Sequence, residues 1–107
     1  MGEIVRNVLR QADFAGRYGG DELLVIFPHT GMRGAYECME RIRRKLEETI
    51  FQIGSKSFRV TCTSGVAEFA RTVKRPDDLI HMADMALLEG KQQGRNRINF
   101  HQSLTNL

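Results

Sequence analysis

Two acidic residues follow two glycines in the segment RYGGDELLVIFP, which occupies residues 17–28. Asp21 and Glu22 therefore fall on a tight turn, where side chains are exposed. Gly19 and Gly20 carry no side chain, so the backbone of the turn can approach a ligand phosphate closely. Glycine and aspartate are also common in turns that bind nothing, and the string GGDE alone fits either interpretation.

The histidines and cysteines form no pattern typical of metal binding or nucleophilic catalysis. Cys38 and Cys62 lack CxxC spacing, which argues against a zinc site and against a disulfide framework. His29, His81 and His101 share no ligand spacing with each other or with the cysteines. We therefore assign these residues no role and expect a reducing, cytoplasmic setting.

The composition is that of one globular domain. The chain has 107 residues, 41% of them hydrophobic, and a domain of this length buries roughly 65% of its unfolded surface. No apolar run approaches the roughly 20 residues of a membrane span, and no secretory signal is legible, so we expect no membrane segment. The net charge of +3 suits a phosphate-bearing partner but is also common on proteins that bind nothing anionic.

A helix and a hairpin are predicted around the GGDE turn. Residues 4–9 place apolar side chains at helical spacing. Residues 14–18 and 23–27 are β-prone segments on either side of two glycines, a strong hairpin signal because glycine takes positive φ without steric cost. The second segment, LLVIF, is apolar on both faces and predicts an interior strand.

The rest of the chain predicts two helices and two strands. An apolar stripe predicts a long helix through Ala35, Cys38, Met39, Ile42, Leu46 and Ile50. Alternation from Phe58 to Val66 predicts a strand, Pro76 starts a second helix that Gly94 ends, and residues 97–100 predict a last strand. The order predicts an α+β fold with an antiparallel sheet and helices on one or both faces.

With its surroundings, the GGDE turn resembles that of the GGDEF family of diguanylate cyclases. The similarity includes LRQADFAGRYGGDELLVIFP, in which Arg10 and Asp13 form an RxxD pair and Arg17 lies two residues before the turn. It extends through VTCTSGVA to ADMALLEGKQQGRNRI, so several motifs in the family's order cover nearly the whole chain. We therefore identify residues 1–107 as a partial GGDEF domain.

The resemblance implies a ferredoxin-like, palm fold that condenses two GTP molecules into cyclic di-GMP and two pyrophosphates, in bacterial second-messenger signalling. An antiparallel homodimer would hold one GTP in each domain, with two Mg²⁺ or Mn²⁺ ions assisting attack of a 3′-hydroxyl on the facing α-phosphorus. By position, Asp21 would be a metal ligand and Glu22 would assist at the metal or the nucleotide. Gly19 and Gly20 would let the backbone meet the nucleotide.

Two further pairs match functional positions of the family. Lys91 and Arg95, four residues apart on one helical face, would contact phosphates; without the motif around them they would be ordinary cations of a last helical turn. Arg10 and Asp13 match the site where cyclic di-GMP inhibits the enzyme, since a guanidinium can stack on guanine and bind phosphate. As an isolated pair, RxxD is more often a surface ion pair.

The chain departs from the family in three small ways and one large one. Leu23 replaces Phe, Leu88 replaces a frequent Tyr, and Gly90 replaces an Ala, which should cost roughly 1 kcal/mol of helix stability. The family domain begins with a strand bearing a metal-binding Asp, followed by a Lys, an Asn and an Asp for the nucleotide, which residues 1–107 lack. We expect Asp21 to have too few partner ligands for a tight metal site, and the isolated chain to make little or no cyclic di-GMP.

The missing segment includes the first central strand of the family's palm fold. It belongs between residues 23–27 and the strand around residues 60–66, and an empty slot would expose unpaired backbone groups on both. Either the two strands pair directly or another chain fills the slot. We expect a dimer for this reason.

Two other functions are consistent with these residues. The chain could be a noncatalytic cyclic di-GMP receptor that works through Arg10 and Asp13. It could also be a small basic nucleic-acid binder, but such proteins usually expose aromatic residues on a sheet face, and only 7% of the residues are aromatic. We expect no nucleic-acid partner.

Overall fold

In the computed structural model, which describes residues 2–101, helices and short strand pairs follow one another along the chain. The elements are α1 (Gly2–Val8), β1 (Phe14–Arg17), β2 (Leu23–Ile26), α2 (Met32–Glu48), β3 (Phe51–Ile53), β4 (Lys56–Phe58), β5 (Ser64–Val66), α3 (Pro76–Gln92) and β6 (Ile98–Phe100). In this part of the chain the strands form three two-stranded sheets: β1 with β2, β3 with β4, and β5 with β6. No helix in residues 2–101 has the length and apolar character needed to cross a membrane.

The core lies between α1 and one face of α2. Val5 and Val8 of α1 are buried against Cys38, Ile42 and Leu46 of α2, and the last two are only 1% exposed. Complete burial of an aliphatic side chain of this size stabilises a fold by about 2 kcal/mol. Cys38, which belongs to the apolar stripe predicted for this helix, is therefore a core residue.

The apolar stripe predicted for α2 extends too far at its C-terminal end. α2 ends at Glu48, and Thr49 leaves the helical conformation with φ of −84° and ψ of 132°. Ile50 therefore lies outside the helix and is 57% exposed. The chain is already extended at this point because β3 begins at Phe51.

A short hairpin that the sequence analysis did not predict follows α2. β3 pairs antiparallel with β4 through a two-residue turn, Gly54 and Ser55. Gly54 has a φ of 61°, which suits a hairpin turn with glycine in its first position, and the rings of Phe51 and Phe58 stack with centroids 5.8 Å apart. The long strand predicted to begin at Phe58 is wrong, since the strand covers only Ser64–Val66.

α3 connects β5 to β6, and these two strands pair in parallel. The sequence analysis predicted antiparallel pairing, which is found in β1–β2 and β3–β4. Parallel strands need a long crossover connection, and the 17 residues of α3 provide it. α3 packs so closely on β5 that a Cβ atom on Gly65 would lie 2.1 Å from the carbonyl oxygen of Ala83.

An open groove separates β2 from β5. Among the described residues β2 pairs only with β1, and β5 pairs only with β6, so each strand has one free edge. The groove has a volume of about 720 Å³, and β2, β5, α2 and α3 line it mainly with apolar side chains. β2 and β5 therefore do not close up and pair directly, which was one of the two arrangements considered from the sequence.

Candidate functional site

The GGDE turn joins β1 to β2 and is tied together by its own backbone. The N–H groups of Tyr18 and Gly19 donate hydrogen bonds to the carbonyl of Glu22, with N···O distances of 3.0 and 3.4 Å. The guanidinium of Arg17 donates to the carbonyl of Gly20 at 3.1 Å. These bonds define the path of the loop and leave its tip exposed to solvent.

The two glycines of the turn provide access and are not required by backbone conformation. Among the described residues, the glycines with positive φ are Gly54 and Gly94, so the reason given for the hairpin prediction does not hold for Gly19 and Gly20. A Cβ atom on Gly20 would have no neighbour within 4 Å, and one on Gly19 would meet the Glu22 side chain at 3.6 Å. A ligand can therefore reach the backbone on this side of the turn.

The turn borders the groove between β2 and β5. Tyr18 and Glu22 line this groove, and Glu68 and Asp84 add acidic side chains from the β5 and α3 sides. Glu68 accepts a hydrogen bond from the N–H of Met32 at 3.2 Å, so its carboxylate binds the N-terminus of α2. The site thus combines an acidic turn with an apolar groove.

The carboxylates near the turn do not complete a metal site. Across residues 2–101, no group of three or more His, Cys, Asp or Glu side chains is placed to hold a metal ion. Mg²⁺ requires about six oxygen ligands in near-octahedral geometry, and Asp21 with Glu22 can supply only part of that set. These residues alone do not fit a tightly bound divalent cation.

Lys91 and Arg95 do not share a helical face, contrary to the prediction. α3 ends at Gln92, and Gly94 follows with a φ of 120°. The N–H of Arg95 donates to the carbonyl of Gly90 at 3.0 Å, and the N–H of Gly94 donates to that of Lys91 at 3.5 Å, as in a Schellman helix end. Gly94 therefore ends the helix as predicted, and Arg95 lies beyond it on a separate turn.

Arg10 and Asp13 form an ion pair just before β1. Nη2 of Arg10 donates to Oδ1 of Asp13 at 3.2 Å, and the backbone N–H of Arg10 donates to Oδ2 at 2.9 Å. The Asp13 side chain is 1% exposed, whereas that of Arg10 is 61% exposed. Burial raises the pKa of Asp13, but the hydrogen bonds and positive charge of Arg10 outweigh burial and hold this pKa below its ordinary value.

Thr30 belongs to the same cluster and was not singled out from the sequence. Nη2 of Arg10 also donates to Oγ1 of Thr30, and the Thr30 hydroxyl donates to the carbonyl of Pro28 at 3.1 Å. Arg10 and Thr30 are 20 residues apart in the chain, so no local pattern indicates the contact. Thr30 and Asp13 together orient a guanidinium that remains accessible from solvent.

The two clusters lie at opposite ends of the β1–β2 hairpin. Asp13 immediately precedes β1, and the GGDE turn follows its last residue, Arg17. A strand of four residues spans roughly 13 Å. The RxxD pair and the GGDE turn are therefore separate clusters joined by one hairpin.

Comparison with known proteins agrees with this fold. The family model described as "Diguanylate cyclase, GGDEF domain" matches residues 1–97. The chain therefore belongs to the GGDEF domain family. This is a family of nucleotidyl cyclases, which generally need a divalent metal.

Similar proteins come from several bacteria. The chain is 36% identical over 98 residues to Diguanylate cyclase A of Treponema denticola, covering 92% of this chain and 26% of that protein. It is 33% identical over 94 residues to Diguanylate cyclase DgcP of Pseudomonas aeruginosa, covering 88% of this chain and 14% of that protein. The chain thus spans only a minor part of these relatives.

Solved GGDEF domains share the fold. The crystal structure of the GGDEF domain of DgcB from Caulobacter crescentus in complex with c-di-GMP has a TM-score of 0.87 and 29% identity, covering 94% of this chain and 60% of that one. The active GGEEF domain of a diguanylate cyclase from Vibrio cholerae has a TM-score of 0.85 and 25% identity, with coverage of 94% and 63%. The palm-like α+β fold predicted from the resemblance is confirmed.

Proposed function

We propose that this chain is part of a diguanylate cyclase domain, which condenses two GTP molecules into cyclic di-GMP and two pyrophosphates in bacterial signalling. The observation that supports this most directly is the accessible GGDE turn beside the groove, in a chain of the GGDEF family. The turn offers a bare backbone to a nucleotide and a carboxylate to the reacting groups.

The roles follow from position. The backbone at Gly19 and Gly20 contacts the nucleotide, and the exposed Asp21 side chain faces its reacting end. Lys91, in the last turn of α3, and Arg95, just beyond the helix, supply positive charge to the phosphates. This assignment needs the two cations to converge from different backbone positions, since they do not share a helical face.

The proposed cyclase uses Mg²⁺ or Mn²⁺, hard cations that prefer oxygen ligands. We assign Asp21 to the metal, with Glu22 assisting at the metal or the nucleotide. Because these two carboxylates do not complete a site, further ligands must come from outside the described residues. We therefore expect the isolated chain to have little or no cyclase activity.

We also propose that the active unit is a homodimer. Each domain holds one GTP, so the 3′-hydroxyl of one nucleotide reaches the α-phosphorus of the other only when two domains face each other. The free edges of β2 and β5 are a second reason for association, because unpaired strand edges favour pairing with another chain. A monomeric mass in solution at micromolar concentration would count against a dimer of this chain.

Calorimetric titration of GTP in the presence of Mg²⁺ tests the nucleotide site. We expect Asp21→Asn and Arg95→Ala each to weaken binding about tenfold, as loss of a charge-assisted contact does. Glu48→Gln and Arg59→Ala are matched controls, since both side chains are exposed and lie outside the GGDE turn and α3. Unchanged GTP affinity in both site variants would refute the assignment of Asp21 and Arg95 to the nucleotide site. Robust formation of cyclic di-GMP would refute the expected inactivity of the isolated chain.

A second function is favoured by the geometry of the RxxD pair. Asp13 and Thr30 orient the Arg10 guanidinium while 61% of the Arg10 side chain stays exposed, which leaves it free to bind guanine or phosphate. The related DgcB domain was crystallised with c-di-GMP. We propose that this chain binds cyclic di-GMP through Arg10 and Asp13 even without turnover.

Calorimetry with cyclic di-GMP tests this receptor function. Arg10→Ala should abolish saturable binding while the far-ultraviolet circular dichroism spectrum is retained. Arg33→Ala, an exposed arginine on α2, is the matched control and should bind normally. Equal affinity of Arg10→Ala and the unmodified chain would rule out this site.

A further inference from the structure

The turn after α3 has an uncommon backbone. Gly94, Arg95 and Asn96 have φ values of 120°, 64° and 49°, so three successive residues lie at positive φ. Glycine adopts this region freely and asparagine tolerates it, but arginine is rarely found there. Such a conformation persists where the surrounding structure holds it in place.

Asn96 connects this turn to the rest of the protein by hydrogen bonds from its backbone and its side chain. Its N–H donates to Oγ1 of Thr63 at 3.0 Å. Its side-chain Oδ1 accepts from Nη1 of Arg43 at 3.1 Å, and its Nδ2 donates to Oε2 of Glu47. One residue therefore ties the turn both to the chain before β5 and to α2, across more than 30 residues of sequence.

The partners on α2 are themselves fixed. Nε of Arg43 donates to both carboxylate oxygens of Glu40, at 3.1 and 3.0 Å, and Nη1 lies 3.6 Å from Oε2 of Glu47. The side chains of Arg43 and Glu40 are only 16% and 17% exposed. Hydrogen bonds from Arg43 lower the pKa of Glu40, so the carboxylate is ionised and holds Arg43 at neutral pH.

We propose that Asn96, held by Arg43 and Glu47, is a positioning residue that keeps Arg95 at positive φ and thereby directs its side chain toward the nucleotide phosphates. The Schellman bonds account for Gly94, but they do not restrain the residue after Arg95. The bonds from Asn96 do so, because they fix the backbone on the C-terminal side of Arg95. This inference rests on the phosphate role of Arg95 proposed above.

The test uses the 107-residue chain with two separate readouts. Nuclear magnetic resonance reports the backbone of Arg95 through the three-bond HN–Hα coupling and the hydrogen-exchange rate of its N–H, which donates to Gly90. Calorimetry reports GTP affinity. We expect Asn96→Ala to change the coupling, speed exchange at Arg95, and weaken GTP binding by up to about tenfold, the loss expected for Arg95→Ala itself.

Two further variants separate positioning from general stability. Asn96→Gly tolerates positive φ but lacks the side-chain bonds, so it should lose affinity like Asn96→Ala. The double variant Glu47→Gln with Asn96→Asp exchanges the two partners, so that the amide of position 47 donates to the carboxylate of position 96. The carboxylate at position 96 can still accept from Arg43. This variant should therefore restore both the coupling at Arg95 and the GTP affinity. Glu48→Gln is the matched control on α2.

The outcomes distinguish this inference from the proposed function. An unchanged coupling and exchange rate at Arg95 in Asn96→Ala would overturn the positioning role, whatever the affinity. Weak GTP binding by Arg95→Ala together with normal binding by Asn96→Ala would also overturn it and leave the phosphate role of Arg95 intact. Normal GTP binding by Arg95→Ala would instead refute the proposed function of Arg95, and with it the functional part of the inference.

Discussion

Gly65 of β5 lies directly beneath the backbone of α3, so that a Cβ atom built on it would fall 2.1 Å from the carbonyl oxygen of Ala83. The N atom of Leu87, one turn further along α3, would be 2.3 Å away. Both neighbours are main-chain atoms and cannot move independently of the helix. A side chain of any size at position 65 therefore forces α3 away from the β5–β6 sheet.

Gly65→Ala should accordingly destabilise the protein by about 3 kcal/mol, the upper range for overpacking of a core. The free energy of unfolding in urea, followed by circular dichroism, gives the value. Gly16→Ala in β1 is the control, since a Cβ atom there would have no neighbour within 4 Å and the change should stay within about 0.5 kcal/mol. Equal stability of the two variants would contradict the close packing of α3 on β5.

Gly90 gives a prediction in which two effects compete. Replacing a helical glycine by alanine gains about 1 kcal/mol, but the new Cβ atom would lie 3.0 Å from Cγ2 of Thr63 and 3.3 Å from Oδ1 of Asn99. We expect Gly90→Ala alone to change stability little. Combined with Thr63→Ser, which removes Cγ2 and keeps the hydroxyl that binds Asn96, it should gain up to about 1 kcal/mol relative to Thr63→Ser alone, with the contact to Asn99 setting how much of the gain remains. The same urea series measures all three variants, and a full gain in the single variant would show that Thr63 moves aside freely.

The stability of the protein should fall in acid because of Asp13. The pKa of Asp13 lies below its ordinary value of 3.8 in the folded protein, so the unfolded chain takes up this proton first as the pH falls. The stabilisation is therefore complete above the unfolded pKa and is lost as the pH falls through the folded pKa. Glu40, lowered from 4.5 by hydrogen bonds from Arg43, contributes with the same sign.

Urea unfolding between pH 6 and pH 3 checks this dependence. Asp13→Asn should be less stable than the unmodified chain at pH 6 and should show a smaller loss of stability toward pH 3. Glu48→Gln, at the exposed end of α2, should follow the unmodified chain. Parallel pH profiles for Asp13→Asn and the unmodified chain would disprove the contribution of the Arg10–Asp13 pair.

The two thiols should react slowly in the folded protein. Burial raises the pKa of Cys38 and of Cys62 above the ordinary value of 9.0, so little thiolate is present at neutral pH. Ellman's reagent at pH 7.5 should label the buried Cys38 only as fast as the protein unfolds and the partly exposed Cys62 more slowly than a free thiol, whereas both should react at once in urea. Cys38→Ser and Cys62→Ser assign the two reactions, and rapid labelling of folded Cys38→Ser would show that Cys62 is accessible.

Local sequence patterns determined most of the secondary-structure elements that carry the candidate sites. The GGDE hairpin, the amphipathic stripe of α2, and the start of α3 at Pro76 with its end before Gly94 are all legible from residues within one or two turns of each other. These signals reflect short-range preferences, namely helical periodicity, proline in a first turn, and glycine after a helix. The family motifs are local for the same reason, and they indicated the fold correctly.

Contacts between distant segments decided the rest. The parallel pairing of β5 with β6, the glycine required at position 65, the contact of Thr30 with Arg10 and the bonds from Asn96 to α2 all join residues 18 or more positions apart. No short pattern encodes such a contact, because its free energy depends on where packing of the whole chain brings the two partners. Lys91 and Arg95 have the sequence spacing of neighbours on one helical face, but α3 ends between them at Gln92. The hydrogen bonds of Asn96 to Arg43 and Glu47 accompany the turn that places Arg95 outside the helix.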